Sequence, residues 1–492
     1  MKHILFVICI LAALFPIACS SNSESGGDSS GGASFPIQLG AYTRAIGGSN
    51  AGSDYCNGVA VDSSGNIYCA GHTDGDMGEI SGGGADAFVM KLNSSGQLQW
   101  LTQLGAVTKS TGGSNAGDEY CKGVAVDSAG NVYCAGYTNG DMGETSGGDT
   151  DAFVMKLNSS GQLQWLKQLG AVTKAAGGSN TGSDYCNGVA VDSAGSVYCA
   201  GYTDGDMGET NGGSRDAFAL KLDGSGQLQW LTQFGATTRA MGGNNAGSNQ
   251  CNGVAVDGFG DIYCAGETGG NMGEANGGNT DAFVMKLNSF GQLQWLTQLG
   301  AVTKITGGSN AGNDYCNGVA VDSSGSVYCS GHTTSAMGEA NGGTIDAFVM
   351  KLNSSGQLQW LTQLGLLTEA TTGNNAGMDY CNTVAVDGTG DVYCAGHTFG
   401  SMGEENGGGW DAFVMKLNSS GRLLWLTQLG RTTKKLGGNP STADHCRGVA
   451  VDSSKNVYCA GHTAAVMGET NGGSNGTLDV FVMKLNSLGQ LQ

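Results

Sequence analysis

Residues 123–170 read GVAVDSAGNVYCAGYTNGDMGETSGGDTDAFVMKLNSSGQLQWLKQLG. Four short runs in this stretch have strand character: Gly123 to Ser128, Asn131 to Thr138, Asp151 to Asn158 and Gln162 to Gly170. The first three are apolar on both faces, as strands sandwiched between layers must be. The fourth alternates Leu163, Trp165 and Leu169 with Gln162, Gln164 and Gln168, the pattern of a half-exposed outer strand. Tight turns at Asp127-Ser128-Ala129-Gly130 and Ser159-Ser160-Gly161 join the first pair and the last pair. Two longer connections, 106–120 and 139–150, then leave from the opposite edge, because neighbouring strands alternate in direction.

The stretch is one copy of a repeat. Gln-Leu/Phe-Gly recurs at Gln38, Gln103, Gln168, Gln233, Gln298, Gln363 and Gln428, always 65 residues apart. Seven units fill residues 35–492, the last with three extra residues in GGSNGTLD. The final GQLQ stops where every earlier unit runs on into its outer strand, and Phe35 to Gly40 supplies the matching piece. Complementary ends predict a closed ring rather than a linear solenoid, which needs polar caps. The expected fold is all-β: a seven-bladed β-propeller with four antiparallel strands per blade, the outer strand of the last blade being completed by both termini.

Composition agrees. With 89 Gly and 3 Pro in 492 residues, glycine-free stretches are too short for long helices. The formal charge of −20 repels phosphate backbones and excludes nucleic acid as a partner.

The motif Gly-Val-Ala-Val-Asp-Ser-x-Gly-Asn-Val-Tyr-x-x-Gly-x-Thr, followed by Asp-Ala-Phe-Val-x-Lys-Leu and Gly-x-Leu-x-Trp, resembles the seven-bladed β-propeller repeat family abbreviated SBBP. The resemblance covers Phe35 to Gln492 and implies architecture and export, with no catalytic residue. A second resemblance lies at the N-terminus. Lys2, the apolar run Ile4 to Phe15 and Ala18-Cys19 resemble a lipoprotein signal peptide, although Pro16 stands where such lipoboxes carry Leu. It implies a signal peptide over 1–18, an acylated Cys19, and a Ser/Gly tether over 19–34 spanning roughly 20 Å. Ser20 in place of Asp points to the outer membrane. The expected partners are the membrane, through the lipid, and a protein or glycan, with the chain itself monomeric.

Fourteen of the 16 cysteines recur as seven pairs: Cys56 with Cys69, Cys121 with Cys134, Cys186 with Cys199, Cys251 with Cys264, Cys316 with Cys329, Cys381 with Cys394 and Cys446 with Cys459. A two-residue turn at Ser63-Ser64 would put each pair diagonally on one face and favour a disulfide within the blade. A longer bulged turn would put them on opposite faces and favour bonds between blades, or buried free thiols.

His72, His332, His397 and His462 share one repeat position that elsewhere holds Tyr137, Tyr202 and Glu267. Packed sheets lie about 10 Å apart while zinc needs its nitrogens at about 2 Å, so they are read as inter-blade packing, and no metal is expected. Asp74, Asp76, Asp141, Asp204 and Asp206 form Asp/Asn-Gly-Asp loops that suit calcium, but Ala336, Ser401 and Val466 break the pattern, and a solvated acidic turn is the stronger reading. Glu79 and Asp86, with their counterparts in all seven units, are expected to order loops rather than to catalyse.

Function is expected on the loop-rich face, where the repeats differ. Trp410, Arg431, Lys434 and Lys435 are the candidate contacts. The sequence predicts a lipid-anchored envelope binding or scaffold protein with no catalytic residues, ahead of a purely structural envelope module and, third, a polysaccharide-active enzyme.

Overall fold

The computed structural model describes residues 35–39, 52–77, 84–104, 117–142, 149–170, 182–207, 211–234, 247–272, 276–299, 312–337, 342–364, 377–402, 406–429, 443–464 and 477–492. Strands are numbered β1 to β28 in chain order. The first blade is a meander of β2 (Asp54–Val61), β3 (Ile67–Thr73), β4 (Asp86–Leu92) and β5 (Leu98–Gln103), with β2 at the ring's inner edge beside its counterparts in the neighbouring blades. Five further sheets repeat that order. The seventh runs β26 (Asp444–Val451), β27 (Val457–Thr463), β28 (Asp479–Leu485) and then β1 (Ile37–Gln38). Ile37 pairs with Val482, Gln38 with Phe481, and Leu491 bridges Leu485, so both ends of the propeller lie along β28, as expected. The ring is closed between blades seven and one by Asp54 N–H donating to Leu478 O at 2.7 Å, the bond that Glu119 makes to Ala85 and Asp444 to Trp410.

Each hairpin at the inner edge carries two irregularities that cancel. Asp62 and Asn66 flank a three-residue turn: Gly65 sits at φ 77° and Asp62 N–H donates to Asn66 O. Continued up the strands, that register would put Cys56 and Cys69 on opposite faces. A β-bulge between Cys56 and Gly58 inserts one residue, sets Cys56 opposite Gly71, and returns both cysteines to one face. Their Cα atoms are 5.9 Å apart and they form a disulfide within the blade. The other six blades close the same bond, joining Cys121 to Cys134, Cys186 to Cys199, Cys251 to Cys264, Cys316 to Cys329, Cys381 to Cys394 and Cys446 to Cys459. Every candidate cysteine is therefore paired within its own blade. The expectation that a longer turn would drive the cysteines into inter-blade bonds, or leave them as free thiols, is thereby corrected: the bulge offsets the extra turn residue.

The core lies in wedges between blades. One face of blade one (Tyr68, Ala70, Ala87, Val89) packs on Cys121, Val132, Phe153 and Met155 of blade two. Tyr68 is fully buried, its hydroxyl donates to the turn carboxylate Asp62 at 2.9 Å, and the Lys91 ammonium lies 5.1 Å above its ring. At the outer edge Trp100 hooks the next blade: its indole N–H donates to Ser159 O at 3.0 Å and its ring covers Gly161. In blade seven Phe35 takes that position by register and packs over Gly96, an apolar replacement at the seam.

Gly71 faces the bulge so closely that a Cβ there would run into the Tyr55 carbonyl oxygen, and the six equivalent glycines are confined in the same way. Gly201→Ala is therefore expected to cost about 3 kcal/mol, since backbone rather than a side chain must move. Urea unfolding measures it; a loss below about 1 kcal/mol at unchanged slope would show that the hairpin yields.

Candidate functional site

The bulges shape a channel along the ring axis. The inserted residue is Asn57 in blade one and Asn187, Asn252, Asn317 and Asn382 in blades three to six, while Lys122 and Arg447 take its place in blades two and seven. Each asparagine donates its side-chain amide to a carbonyl of the next blade: Asn57 to Cys121 O at 2.8 Å, Asn187 to Cys251 O at 2.9 Å, Asn382 to Cys446 O at 2.7 Å. This amide ring is the floor of a cavity of about 850 Å³ that opens on the face from which the long connections emerge. The next residue along the strand is Gly58, whose Cβ would come within 3.3 Å of Val124 N, so the blades meet backbone to backbone below the floor.

Above the floor runs a belt of aromatic rings. Tyr55 stacks on His72 across the hairpin with centroids 4.3 Å apart, His72 meets Tyr120 of the next blade at 4.6 Å, and the alternation continues through Tyr137, Tyr185 and Tyr202. It resumes at Tyr315 and passes His332, Tyr380, His397, His445 and His462 back to Tyr55, with centroids no more than 4.9 Å apart. Blade four alone departs from the ring pattern, with Gln250 and Glu267 hydrogen-bonded to each other. The histidines do pack between blades, as expected, and they also line the cavity.

Burial holds the belt imidazoles neutral: His72 falls to about 3, His332 and His445 to about 4, and His397 and His462 to about 2, with Lys122 adding to the effect at His72 and Arg447 at His445 and His462. Floor amides approach Nδ1 of His72, His332 and His397 at 3.3, 3.1 and 3.0 Å. A neutral imidazole that accepts at Nδ1 carries its proton on Nε2. Burial also lifts Glu267 to about 7, against the pull of Asn252, Gln250 and Arg215. The Arg215 guanidinium lies 4.7 Å over the Tyr202 ring at the rim. Among the described residues that line the cavity, Lys122, Arg215 and Arg447 are cations and none is a carboxylate, Glu267 lying behind Gln250 and Asn252, a local inversion of the chain's charge of −20.

Of the residues singled out from sequence, Trp410 stands at this rim, half-buried, 5.0 Å from His397, 5.3 Å from Phe399 and 5.8 Å from Tyr380 by ring centroid. Arg431, Lys434, Lys435, Cys19 and the seven glutamates of the Glu79 series lie outside the described residues. Asp86 is buried and accepts from Gln103 Nε2 at 2.8 Å, while Gln103 Oε1 accepts from Met77 N–H at 2.9 Å, a loop-ordering arrangement repeated around the ring. Among the calcium candidates, Asp204 accepts from Ser183 N–H at the entry to β10 (Asp184–Val191), and Asp206 accepts from Asn211 N–H within its own loop. Asp74, Asp76 and Asp141 occupy the matching turns of blades one and two. Among the described residues no His, Cys, Asp and Glu side chains converge as a metal site, and no helix is long and apolar enough to cross a membrane.

Several solved structures match the chain at low similarity. The β-propeller domain of the Trilobed protease from Pyrococcus furiosus is 6% identical, covering 88% of this chain and 95% of that one at a TM-score of 0.39. An ulvan lyase is 9% identical, covering 89% and 95% at 0.41, and the NanB sialidase of Streptococcus pneumoniae 10% identical, covering 94% and 72% at 0.39. Those similarities carry no functional weight. No curated protein matches the chain at a significant level. The SBBP β-propeller repeat matches residues 41–77, 99–142, 164–212, 229–272, 294–336, 359–401 and 424–465, once per blade and over more than half the chain, which makes this protein a member of the SBBP β-propeller repeat family.

Proposed function

We propose that the protein is an exported binding protein, held at the cell envelope by an acyl group on Cys19, that takes a polar saccharide into its axial cavity from the loop face. One observation carries the reading: amides, neutral imidazoles and phenols line a single recess of about 850 Å³, a size suited to a small organic ligand. Trp410 at the rim would meet the part of the ligand that projects from it. Seven buried disulfides suit an oxidising compartment. Arg431, Lys434 and Lys435 extend the proposed contact over the loops of blade seven. The role is retention without turnover, a reading supported by the Asp86 series, which orders loops instead of facing the cavity.

The test is a glycan array probed with the exported, purified protein and with Asn187→Trp, which fills the recess at the loss of one hydrogen bond. Saturable capture of one saccharide class by the wild type, at least about tenfold weaker in a folded Asn187→Trp protein, is the expected result. Equal capture by both would move the site to the outer loops.

A further inference from the structure

Five of the seven blades carry asparagine at the bulge, and its amide ties that blade to the next. Blades two and seven give up that bond for Lys122 and Arg447, which flank Asn57 of blade one on either side. The exchange costs two inter-blade hydrogen bonds and partly desolvates two cations. Among the described residues neither cation has a carboxylate within ion-pair distance, whereas Lys286, Lys416 and Lys455 elsewhere on the ring all do. Among the described residues neither side chain makes a hydrogen bond or ion pair that would offset this cost, so the gain is sought in a ligand.

Resting on the saccharide reading above, we propose that Lys122 and Arg447, on either side of Asn57, form an oxyanion site in the cavity floor, and that the ligand is an acidic saccharide whose carboxylate or sulfate sits between the two cations. Burial and the charge of Arg447 both weaken the Lys122 ammonium, and an anion shared by the pair relieves both effects. Both N–H groups of the Asn57 amide are already donated, to Cys121 O and to His72 Nδ1, so Asn57 spaces the two cations and the anion is held by them alone. Arginine presents two parallel N–H groups to an oxyanion and lysine a point charge, a combination that suits either a carboxylate or a sulfate. The cavity is far larger than a bare ion requires, and its remaining walls offer amides and rings to a neutral sugar body. The anion would enter from the rim, where Arg215 lies over Tyr202.

The double variant, Lys122→Asn with Arg447→Asn, supplies its own folding control, since it restores the residue present in the other five blades. Thermal unfolding of the full chain is followed at constant ionic strength and pH against glucuronate, glucose and inorganic sulfate, with chloride as the balance. The expected result is a saturable rise in midpoint with glucuronate, none with glucose, and at least a tenfold weaker response in the double variant, whose own midpoint equals or exceeds that of the wild type. Half-saturation by glucuronate at a concentration at least tenfold below that of sulfate identifies an organic acid as the ligand. Sulfate binding as well as glucuronate would overturn the saccharide assignment and leave an inorganic-ion site. Equal responses of variant and wild type, or no response of the wild type to either anion, would overturn the site itself. Glucose binding unaffected by the double variant would do so too, yet would leave the cavity reading of the proposed function standing.

Discussion

Reduction of the seven disulfides is expected to leave the protein unfolded at about 37 °C. Each bond closes a loop of 13 residues' separation, and in the chain-entropy account such a closure contributes about 3 kcal/mol. Summed over seven blades the contribution is about 20 kcal/mol, above the net stability of about 5–15 kcal/mol typical of folded domains. Every disulfide is fully buried within a wedge, so a thiol reagent reaches it when the blade opens. Refolding from denaturant with and without reductant measures the effect. The oxidised protein should recover its near-ultraviolet circular dichroism and the reduced one should not, or should melt at least about 20 °C lower. Equal recovery would show that apolar packing alone carries the fold.

Acid should destabilise the propeller well above the range in which carboxylates titrate. An unfolded histidine takes up its proton near pH 6.5, while the five belt histidines resist protonation until about pH 4 or below. Below pH 6.5 the unfolded chain therefore binds more protons at these sites, and their contribution to stability is lost as pH falls. Asp444 and Glu267 act in the opposite sense. Burial raises both to about 7, above their unfolded values, so their contribution is complete at low pH and lost as pH rises through 7. Five histidines against these two acids, with Asp74 and Asp411 raised by burial in the same sense, leave a net uptake of at most about three protons on unfolding between about pH 5 and 6, a slope of up to about 4 kcal/mol per pH unit.

The turn aspartates add a second loss. Asp62, Asp127, Asp192, Asp322 and Asp387 are partly buried, which alone would raise them, but hydrogen bonds hold them below the ordinary value, Asp387 at about 2. Their stabilisation is present above about pH 4 and is lost as pH falls further. Urea midpoints across pH 4 to 8 should fall steeply below about pH 6.5 and level off a little above pH 7. Substituting His445 and His462 with Asn should flatten that fall; an unchanged slope would mean that other groups carry it.

Fold and site were legible in the sequence to different depths. Period, strand count and ring closure could be read because each depends on residues close in the chain or identical at 65-residue spacing, as Gln38 is to Gln103. The disulfide pairing was left open because it turns on a bulge at Asn57, and no residue type announces that bulge. The same bulge sets the register that brings Tyr55 onto His72, so the histidine column was visible in sequence while the belt it belongs to was not. Lys122 and Arg447 did leave a signal, as the two departures from asparagine in one repeat column. It could be interpreted only once that column was known to face the channel. Trp410 stood out as an unusual aromatic in a variable loop, and it lies at the mouth of the recess.

The claim that the axial cavity holds the ligand is tested most directly through its imidazoles. Five of the protein's six histidines, all but His3, lie in the belt, so side-chain nitrogen resonances of histidine-labelled protein report on the cavity almost exclusively. Titration with the saccharide captured on the array should shift several belt imidazoles in parallel, with one saturation curve matching the binding isotherm. Saturable binding that leaves all five unmoved would contradict the account and place the ligand elsewhere on the ring.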